Sequence, residues 1–328
     1  MISVLNSQQI QLIKENVGRV IVGNEEVTDL LLTALFAEGH VLIDDVPGIG
    51  KTKLANTLAK SIGADFKRIQ FTPDLQPADI TGIYYFNQKE GDFVFRQGPV
   101  LTNILLADEI NRAVPRTQSS LLEAMQERQV SIEGDIYPIQ EPFMILATQN
   151  PIELEGTFPL PEAQLDRFLL KVSLGYPTDE EEVTILKRFK SQDPLEDLEP
   201  VVNAEQIVAS RKALEEVTIT EELLKYITKL SEVSRESDYL RLGLSPRASL
   251  SLMKASLAYA FVKGRDFVLP DDIKYLFPYV AEHRLILTYE HEAEGTDKAE
   301  VIEEIISAVE VPVEDGIRSD AEEELDVG

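Results

Sequence analysis

The amino-acid sequence predicts an α/β domain, a parallel sheet sandwiched by helices, followed by a small all-α domain. In the first half, short apolar runs rich in β-branched or aromatic residues alternate with helical patterns. Continuous apolar strands separated by helices are typical of a parallel sheet that is buried on both faces. After Pro177 the patterns are helical up to about residue 311. We therefore expect domains at residues 1–177 and 178–312.

Composition is that of a folded protein and excludes several kinds of site. Of the 328 residues, 44% are apolar and 27% are charged, which favours a packed core over disorder. The chain has no cysteine, so disulfides, thiol catalysis and thiolate metal sites are excluded. No apolar run reaches the ~18 residues that a membrane span requires, and the first residues do not resemble a signal peptide. We expect a cytoplasmic protein.

The charge distribution is acidic and uneven. The formal net charge is -27, and residues 313–328 contain seven acids and one arginine. Such a block usually stays solvated, so we expect an acidic disordered tail. Elsewhere no cluster of Lys and Arg with interleaved aromatic residues is present. Broad binding to nucleic acid is therefore disfavoured.

The strands and hairpins are predicted from apolar runs and turn residues. The predicted sheet strands lie in HVLIDD, FKRIQFT, NILLADE and PFMILATQN. Two segments have strand-like runs around polar turns, which predicts the hairpins GIYYFNQKEGDFVF and QVSIEGDIYPI.

Capping signals predict where the helical half begins. Thr178 with Glu181, and Asn203 with Gln206, have the spacing of a capping box, in which the two side chains bond each other's backbone N–H groups.

The stretch VLIDDVPGIGKT is close to the phosphate-loop pattern G-x-x-x-x-G-K-[ST], with Asp45 in place of the first glycine. That position is at the strand exit, where an ordinary backbone conformation suffices. The carboxylate can turn away from the phosphates, so we expect the departure to be tolerated.

The remainder of this loop has the groups that phosphate binding needs. Gly48 and Gly50 allow positive φ and a close approach of phosphate oxygens, and a helix that follows at once presents unpaired backbone N–H groups. Lys51 can reach the β- and γ-phosphates, and Thr52 can place its hydroxyl on Mg²⁺. The alternative is an ordinary strand–turn–helix with a surface lysine.

A second element, ILLADEIN, ends a buried strand in two carboxylates. Ligands of open α/β sheets bind at the carboxyl ends of the strands. Asp108 would hold Mg²⁺ through its water shell, since Mg²⁺ keeps waters and uses few carboxylates. Glu109 would orient and deprotonate the attacking water. The alternative is a polar strand end that caps the next helix.

Three further residues are candidates for the same site. Asn150 ends ILATQN, where its amide could hold a water or a phosphate, although Asn-Pro alone more often marks a turn. Arg167 is expected on a short helix after the last core strand; an isolated arginine there is otherwise a surface residue or a salt-bridge partner. Arg247 follows Ser245 and Pro246 at a predicted helix start, where a nearby anion would explain a cation that opposes the helix dipole.

The order of these motifs resembles the AAA+ ATPases and, within them, the MoxR family. The similarity covers roughly residues 18 to 312, and its most specific part runs from Gly98 to Phe168. The matching stretches are IVGNEEV, HVLIDDVPGIGKT, TPDLQPADITG, GPVLTNILLADEINRAVPRTQSSLLEAMQERQVSIEG, ATQNPIELEGTFPLPEAQLDRF and LGLSPRASLSL.

The resemblance implies a AAA+ module with a helical lid, the cofactors ATP and Mg²⁺, and a role for each motif. Thr52 and Asp108 would serve the metal. The implied catalytic residues are Lys51, Glu109, Asn150 as sensor 1, Arg167 as an arginine finger that reaches a neighbouring subunit, and Arg247 as sensor 2. The implied nucleotide contacts are Val22, Gly23, Pro47, Gly48, Ile49, Gly50, Lys51, Thr52, Lys53 and Asp108.

The resemblance also implies partners. An arginine finger requires a homo-oligomer, by resemblance a hexameric ring, and the family suggests a protein substrate and a partner with a von Willebrand factor A domain. Hairpins that face the pore would grip a partner. The alternatives are an ATP-dependent assembly switch, a subunit of a metal-inserting chelatase and a DNA-acting motor; the acidic charge disfavours the last.

Overall fold

The structure is a computed structural model that describes residues 3–46, 48–89, 91–149, 156–190 and 192–312. Three parts of the predicted picture lie outside the described residues: Pro47, Asn150 and the expected acidic tail at 313–328.

A five-stranded parallel sheet forms the centre of the first half, as the apolar runs predict. Its spatial order is β2-β5-β8-β1-β9, and every neighbouring pair is parallel. The fifth strand, β9, was not predicted from the sequence. The strands are β1 (Val41–Asp44), β2 (Phe66–Gln70), β5 (Ile104–Asp108), β8 (Met144–Gln149) and β9 (Leu170–Val172).

Both predicted hairpins are confirmed. β3 (Gly82–Asn87) pairs antiparallel with β4 (Asp92–Gln97), and β6 (Gln129–Ile132) pairs antiparallel with β7 (Asp135–Pro138). The two hairpins touch: the rings of Phe95 and Tyr137 stack with centroids 4.2 Å apart.

Helices cover the sheet, and most of them form the connections between its strands. The helix α5 begins with a proline at its first position, which fits the helical φ and needs no N–H partner there. The helices of this half are α1 (Ser7–Gly18), α2 (Glu25–Phe36), α3 (Lys51–Ser61), α4 (Pro77–Thr81), α5 (Pro115–Glu127) and α6 (Glu162–Leu165).

The second half is helical and begins at the predicted caps. Thr178 and Asn203 each cap a helix through a complete capping box, and Ser245 accepts a hydrogen bond from the N–H of Ala248. A short antiparallel pair, β10 (Leu240–Leu242) and β11 (Ile286–Leu287), lies among these helices. They are α7 (Asp179–Arg188), α8 (Ala204–Arg211), α9 (Glu221–Glu236), α10 (Pro246–Val262), α11 (Pro270–Ala281), α12 (Tyr289–Glu294) and α13 (Lys298–Ala308).

The core is divided by the sheet. Alternate residues of β5 point to opposite faces, so Ile104 and Leu106 join one hydrophobic cluster while Leu105 and Ala107 join the other. The first cluster continues through α1 and α2 into the helices of the second half, and α2 packs directly on α10. None of the described helices has the length and apolar character needed to cross a membrane.

Candidate active site

The glycine-rich turn after β1 has the backbone geometry that its sequence predicts. Gly48 has φ +90° and Gly50 has φ +94°, conformations that L side chains rarely adopt. The helix α3 begins at Lys51 with Gly50 as its N-cap, and no side chain caps it. The first N–H groups of the helix are therefore available to an anion.

A cavity of about 520 Å³ lies between this turn and the carboxyl ends of β2 and β5. It brings together residues that are far apart in the sequence, as the strand-end rule predicts. The predicted site residues that line it are Gly48, Gly50, Lys51, Thr52, Lys53, Asp108 and Glu109.

The two lysines of the loop differ in their surroundings. The Lys51 ammonium donates to the carbonyl of Asp45 at 2.8 Å, which holds it against the loop. The Lys53 ammonium instead pairs with the Asp193 carboxylate and lies 4.8 Å from the centre of the Phe189 ring. We therefore expect any contact of Lys53 with a nucleotide to come from its backbone N–H rather than its amine.

Asp108 ends β5 and is held from both neighbouring strands. The Thr148 hydroxyl of β8 donates to Asp108 Oδ1 at 2.6 Å, and Arg68 of β2 donates through Nη2 to Oδ2 at 2.6 Å. The side chain of Asp108 is only 14% exposed. Its orientation is thus fixed before any ligand binds.

Glu109 follows Asp108 in an uncommon backbone conformation, with φ +56°. Its N–H donates to the Thr148 hydroxyl at 2.8 Å. Its carboxylate accepts from Gln70 Nε2 at 2.7 Å and pairs with Arg112 Nε at 3.1 Å. Left-handed backbone at a non-glycine residue is costly and is often found at active sites, where it sets the direction of a side chain.

The cavity fits a magnesium ion that is held mostly by its substrate. Among the residues that the structure describes, no three His, Asp or Glu side chains cluster as a metal site. Thr52 and Asp108 line the same cavity. Oδ1 of Asp108 accepts only from the Thr148 hydroxyl and retains a lone pair, whereas Oδ2 accepts from both Nε and Nη2 of Arg68. One hydroxyl and one carboxylate suit Mg²⁺, which keeps its waters and is usually completed by phosphates.

The segment expected to contact the base lies elsewhere. Val22 and Gly23 line a separate cavity of about 490 Å³ rather than the phosphate-loop cavity. Gly23 has φ +76°, and a Cβ there would come within 1.9 Å of Glu181 Oε1 at the start of α7. The positive φ favours glycine here, and a Cβ would also require the Glu181 carboxylate to move.

Asp45 turns its carboxylate away from the loop, as predicted. It is 7% exposed and accepts from the Ser173 hydroxyl at 2.8 Å and from the N–H of Gly175 at 3.4 Å, and also from that of Leu174. The aspartate therefore ties the exit of β1 to the exit of β9.

We expect Asp45→Gly to leave ATP affinity within a few-fold, because the carboxylate does not face the phosphates. It should lower the free energy of unfolding by on the order of 2 kcal/mol, because hydrogen bonds to a charged acceptor are lost. Asp45→Asn keeps the shape and is the control. Titration with a fluorescent ATP analogue and thermal melts measure both effects; a tenfold gain in affinity would show that Asp45 opposes the phosphates.

Arg167 and Arg247 come together, but away from this cavity. Both line a third cavity of about 270 Å³, which also contains Asp166. The predicted place of Arg167 on a helix after the last core strand is wrong: α6 ends at Leu165, and Arg167 precedes β9. Arg247 is at the start of α10, with Nη1 4.0 Å from Asp166 Oδ2.

Sequence reasoning missed the residues that orient the carboxylates. Arg68 and Gln70 come from β2, and Thr148 comes from β8, two positions before Asn150 in the sequence. Applying the strand-end rule to FKRIQFT would have indicated Gln70, since its neighbour strand ends in the carboxylates. No local signal indicates Arg68.

Comparison with known proteins shows similar chains along most of the sequence. The model of the family described as ATPase family associated with various cellular activities (AAA) matches residues 40–170, and that of the AAA lid domain matches residues 232–305. Chaperone MoxR1 of Mycobacterium tuberculosis is 41% identical, over 90% of this chain and 80% of that protein. YeaC of Bacillus subtilis, whose function is uncharacterized, is 49% identical over 92% of this chain and 94% of its own.

A solved structure is also similar over nearly the whole chain. It is that of a candidate ATPase from Cytophaga hutchinsonii, with a TM-score of 0.89 and 42% sequence identity. The match covers 94% of this chain and 96% of that one. The α/β half and the helical half thus occur together in that protein as they do here.

Proposed function

The chain belongs to the MoxR family of AAA+ ATPases, and we propose that it couples ATP hydrolysis in a homo-oligomeric ring to remodelling or activating partner proteins. That it is an ATP hydrolase follows from the family. The observation that carries the proposal is the division of functional groups between two cavities. Lys51, Asp108 and Glu109 line one, whereas Arg167 and Arg247 line another that shares no residue with it.

In this proposal the phosphate-loop cavity binds and orients ATP. The loop N–H groups and Lys51 bind the phosphates, and Thr52 and Asp108 hold Mg²⁺. The ion, when bound, neutralises charge on the phosphate oxygens. Glu109 orients and deprotonates the attacking water, a role that its fixed contacts with Gln70 and Arg112 support. Val22 and Gly23 contact the base, which extends from the phosphate-loop cavity into the separate cavity that these two residues line.

Asn150 completes this half of the site. Asn150 follows β8 in the sequence, and β8 lies between β5, which ends in the carboxylates, and β1, which leads to the phosphate loop. In the proposal its amide holds the water or the γ-phosphate.

Arg167 and Arg247 serve the nucleotide of the next subunit. Transfer of a phosphoryl group spreads charge over its oxygens, and positioned cations stabilise that charge. The Arg167 side chain has no hydrogen-bond or ion-pair partner within the described residues, so it is available to a neighbour. Contacts of this kind around a closed ring, which we take to be a hexamer, give every site its arginine.

The hairpins support a protein partner. Phe86, Phe93 and Ile136 are 53%, 64% and 61% exposed although they are large and apolar. In the proposal these side chains bind a protein substrate. A second protein, which carries a von Willebrand factor A domain, is proposed as a further binding partner. The net charge of -27 argues against nucleic acid as the substrate on which the protein acts. We also retain the domains 1–177 and 178–312, and a cytoplasmic location, as parts of the proposal.

The three alternatives differ in what stimulates hydrolysis. An assembly switch hydrolyses ATP slowly whatever is added, a DNA-acting motor responds to DNA, and a chelatase subunit responds to its metal-inserting partners. A remodelling motor responds to a protein.

Capture of the partner tests the proposal. Glu109→Gln subunits loaded with ATP should retain a bound protein from a lysate, because the ATP state does not decay. The captured protein, once purified, should raise the steady-state turnover of the wild-type chain, whereas double-stranded DNA should not. Stimulation by DNA alone would overturn the remodelling function in favour of the DNA-acting motor.

A further inference from the structure

The segment that carries Arg167 is held by one buried arginine from the helical half. Arg284 follows the end of α11, and its guanidinium donates to Asp166 Oδ1 at 2.7 Å through Nε. Through Nη2 it donates to the carbonyl of Phe168 at 2.6 Å, and through Nη1 to that of Leu169 at 3.3 Å. The backbone is thus fixed on both sides of Arg167.

Two histidines contact the backbone of the same segment. Burial lowers the pKa of His283 well below its usual value, so the ring is neutral, and its Nε2 lies 3.0 Å from the Phe168 carbonyl. The N–H of Leu169 donates to the His40 carbonyl at 2.8 Å, just before β9 begins. Both histidine contacts are made to backbone atoms of Phe168 and Leu169. They therefore do not involve the Arg167 side chain, which can extend toward a neighbouring subunit.

The arrangement depends on the shape of the arginine as well as its charge. The side chain of Arg284 is 4% exposed; burial lowers its pKa, and the Asp166 carboxylate opposes that effect. The Val280 carbonyl and the Ser251 hydroxyl also accept hydrogen bonds from this guanidinium. Each of its three nitrogens therefore donates to at least one acceptor. A lysine has a single nitrogen and cannot bind the carboxylate and the separated carbonyls at once.

We propose that Arg284 is a positioning residue that sets the direction of Arg167 for the neighbouring active site. It joins the C-terminal end of α11 to the Arg167 segment, so the helical half of one subunit governs the cation that this subunit presents to the next. Asp166 also faces Arg247, which places both arginines under the same control. This inference rests on the proposed function, in which Arg167 acts on the ATP of another subunit.

The first test is the kinetics of Arg284→Met. We expect kcat to fall about 10²-fold, because a misplaced catalytic group loses most of its effect. The KM and the affinity for ATP should stay within about threefold, since the subunit's own ATP cavity is unchanged. Arg284→Lys, which keeps the charge and is milder to the fold, should also lower kcat.

A matched control is available at the other end of α11, in the connection that precedes the helix. Arg265 pairs with Asp272 at 2.8 and 2.6 Å, at the N-terminal end of α11 and away from residues 166–169. Arg265→Met should lower the melting temperature without lowering kcat, with both measured on folded protein. Equal effects of Arg265→Met and Arg284→Met on kcat would reduce Arg284 to a structural role and overturn the proposal.

Mixed oligomers then show whose active site is affected. Subunits with Arg284→Met retain Glu109, and subunits with Glu109→Gln retain a well-placed Arg167. In an equal, random mixture about one interface in four combines the two intact halves, so hydrolysis should rise well above that of either variant alone.

A second mixture distinguishes a wrong role for Arg284 from a wrong assignment of the shared active site. Arg167→Ala with Glu109→Gln should recover activity in the same way. If that mixture recovers and the Arg284→Met mixture does not, Arg284 acts within its own subunit and the inference is wrong. If neither recovers, the shared active site itself is wrong, and the inference falls with it.

Discussion

Glu109→Gln is expected to lower ATP turnover about 10³-fold, because the amide cannot accept the proton of the attacking water. The affinity for ATP should stay within about threefold, since the substitution keeps the size of the side chain and leaves Lys51 and the glycine turn intact. Phosphate release measures the first effect and titration with a fluorescent ATP analogue measures the second.

The control for this variant is Glu123→Gln, an exposed glutamate on α5 with no described contact to the cavity. It makes the same chemical change and should turn over ATP at the wild-type rate. A Glu109→Gln protein as active as this control would reject Glu109 as the base. Loss of both binding and turnover would assign Glu109 to the fold or to ATP binding instead.

Arg167→Ala is expected to lower turnover about 10³-fold or more, as the loss of a cation that stabilises the transferring phosphoryl group should. ATP binding should be near normal, because Arg167 does not line the cavity of Lys51. The separation of binding from turnover, measured as above, is expected of a group that acts in the reaction rather than in ATP binding.

Lys254→Ala is the matched control for Arg167→Ala, since Lys254 is a cation that lines the same cavity. If the two substitutions lower turnover equally, the effect comes from the charge of that surface. Unchanged turnover in Arg167→Ala would remove Arg167 from the reaction.

Much of the fold follows from local sequence signals. Of the four longer strands of the sheet, β1, β5 and β8 are mainly apolar runs, and β2 is marked by an aromatic and a β-branched residue, Phe66 and Ile69. The hairpins have polar turns, and the caps at Thr178 and Asn203 involve residues only three apart. The strand β9 was not predicted because it has only three residues and one of them is the charged Lys171. That lysine pairs with Asp44 at 2.7 Å and with Glu282 at 2.9 Å, partners that are distant in the sequence.

The site was predictable where it depends on single strand ends and turns. The phosphate loop, Asp108 and Glu109 meet in one cavity because parallel strands end at the same edge. The contacts of Arg68 and Gln70 depend on the register between β2 and β5, in which Gln70 is opposite Asp108, and the sequence does not reveal that register. The hydrogen bond from Arg284 to Asp166 joins residues that are 118 positions apart, so no short sequence pattern could have predicted it.

The measurement that tests the shared active site most directly is ATP hydrolysis by a mixture of Glu109→Gln and Arg167→Ala subunits. Each variant alone lacks one half of the reaction and should be nearly inactive. Mixed at random, about one interface in four pairs the intact Glu109 of one subunit with the intact Arg167 of the next, so turnover should rise sharply. Turnover that stays at the level of the separate variants, in oligomers shown to contain both, would contradict a site shared between subunits.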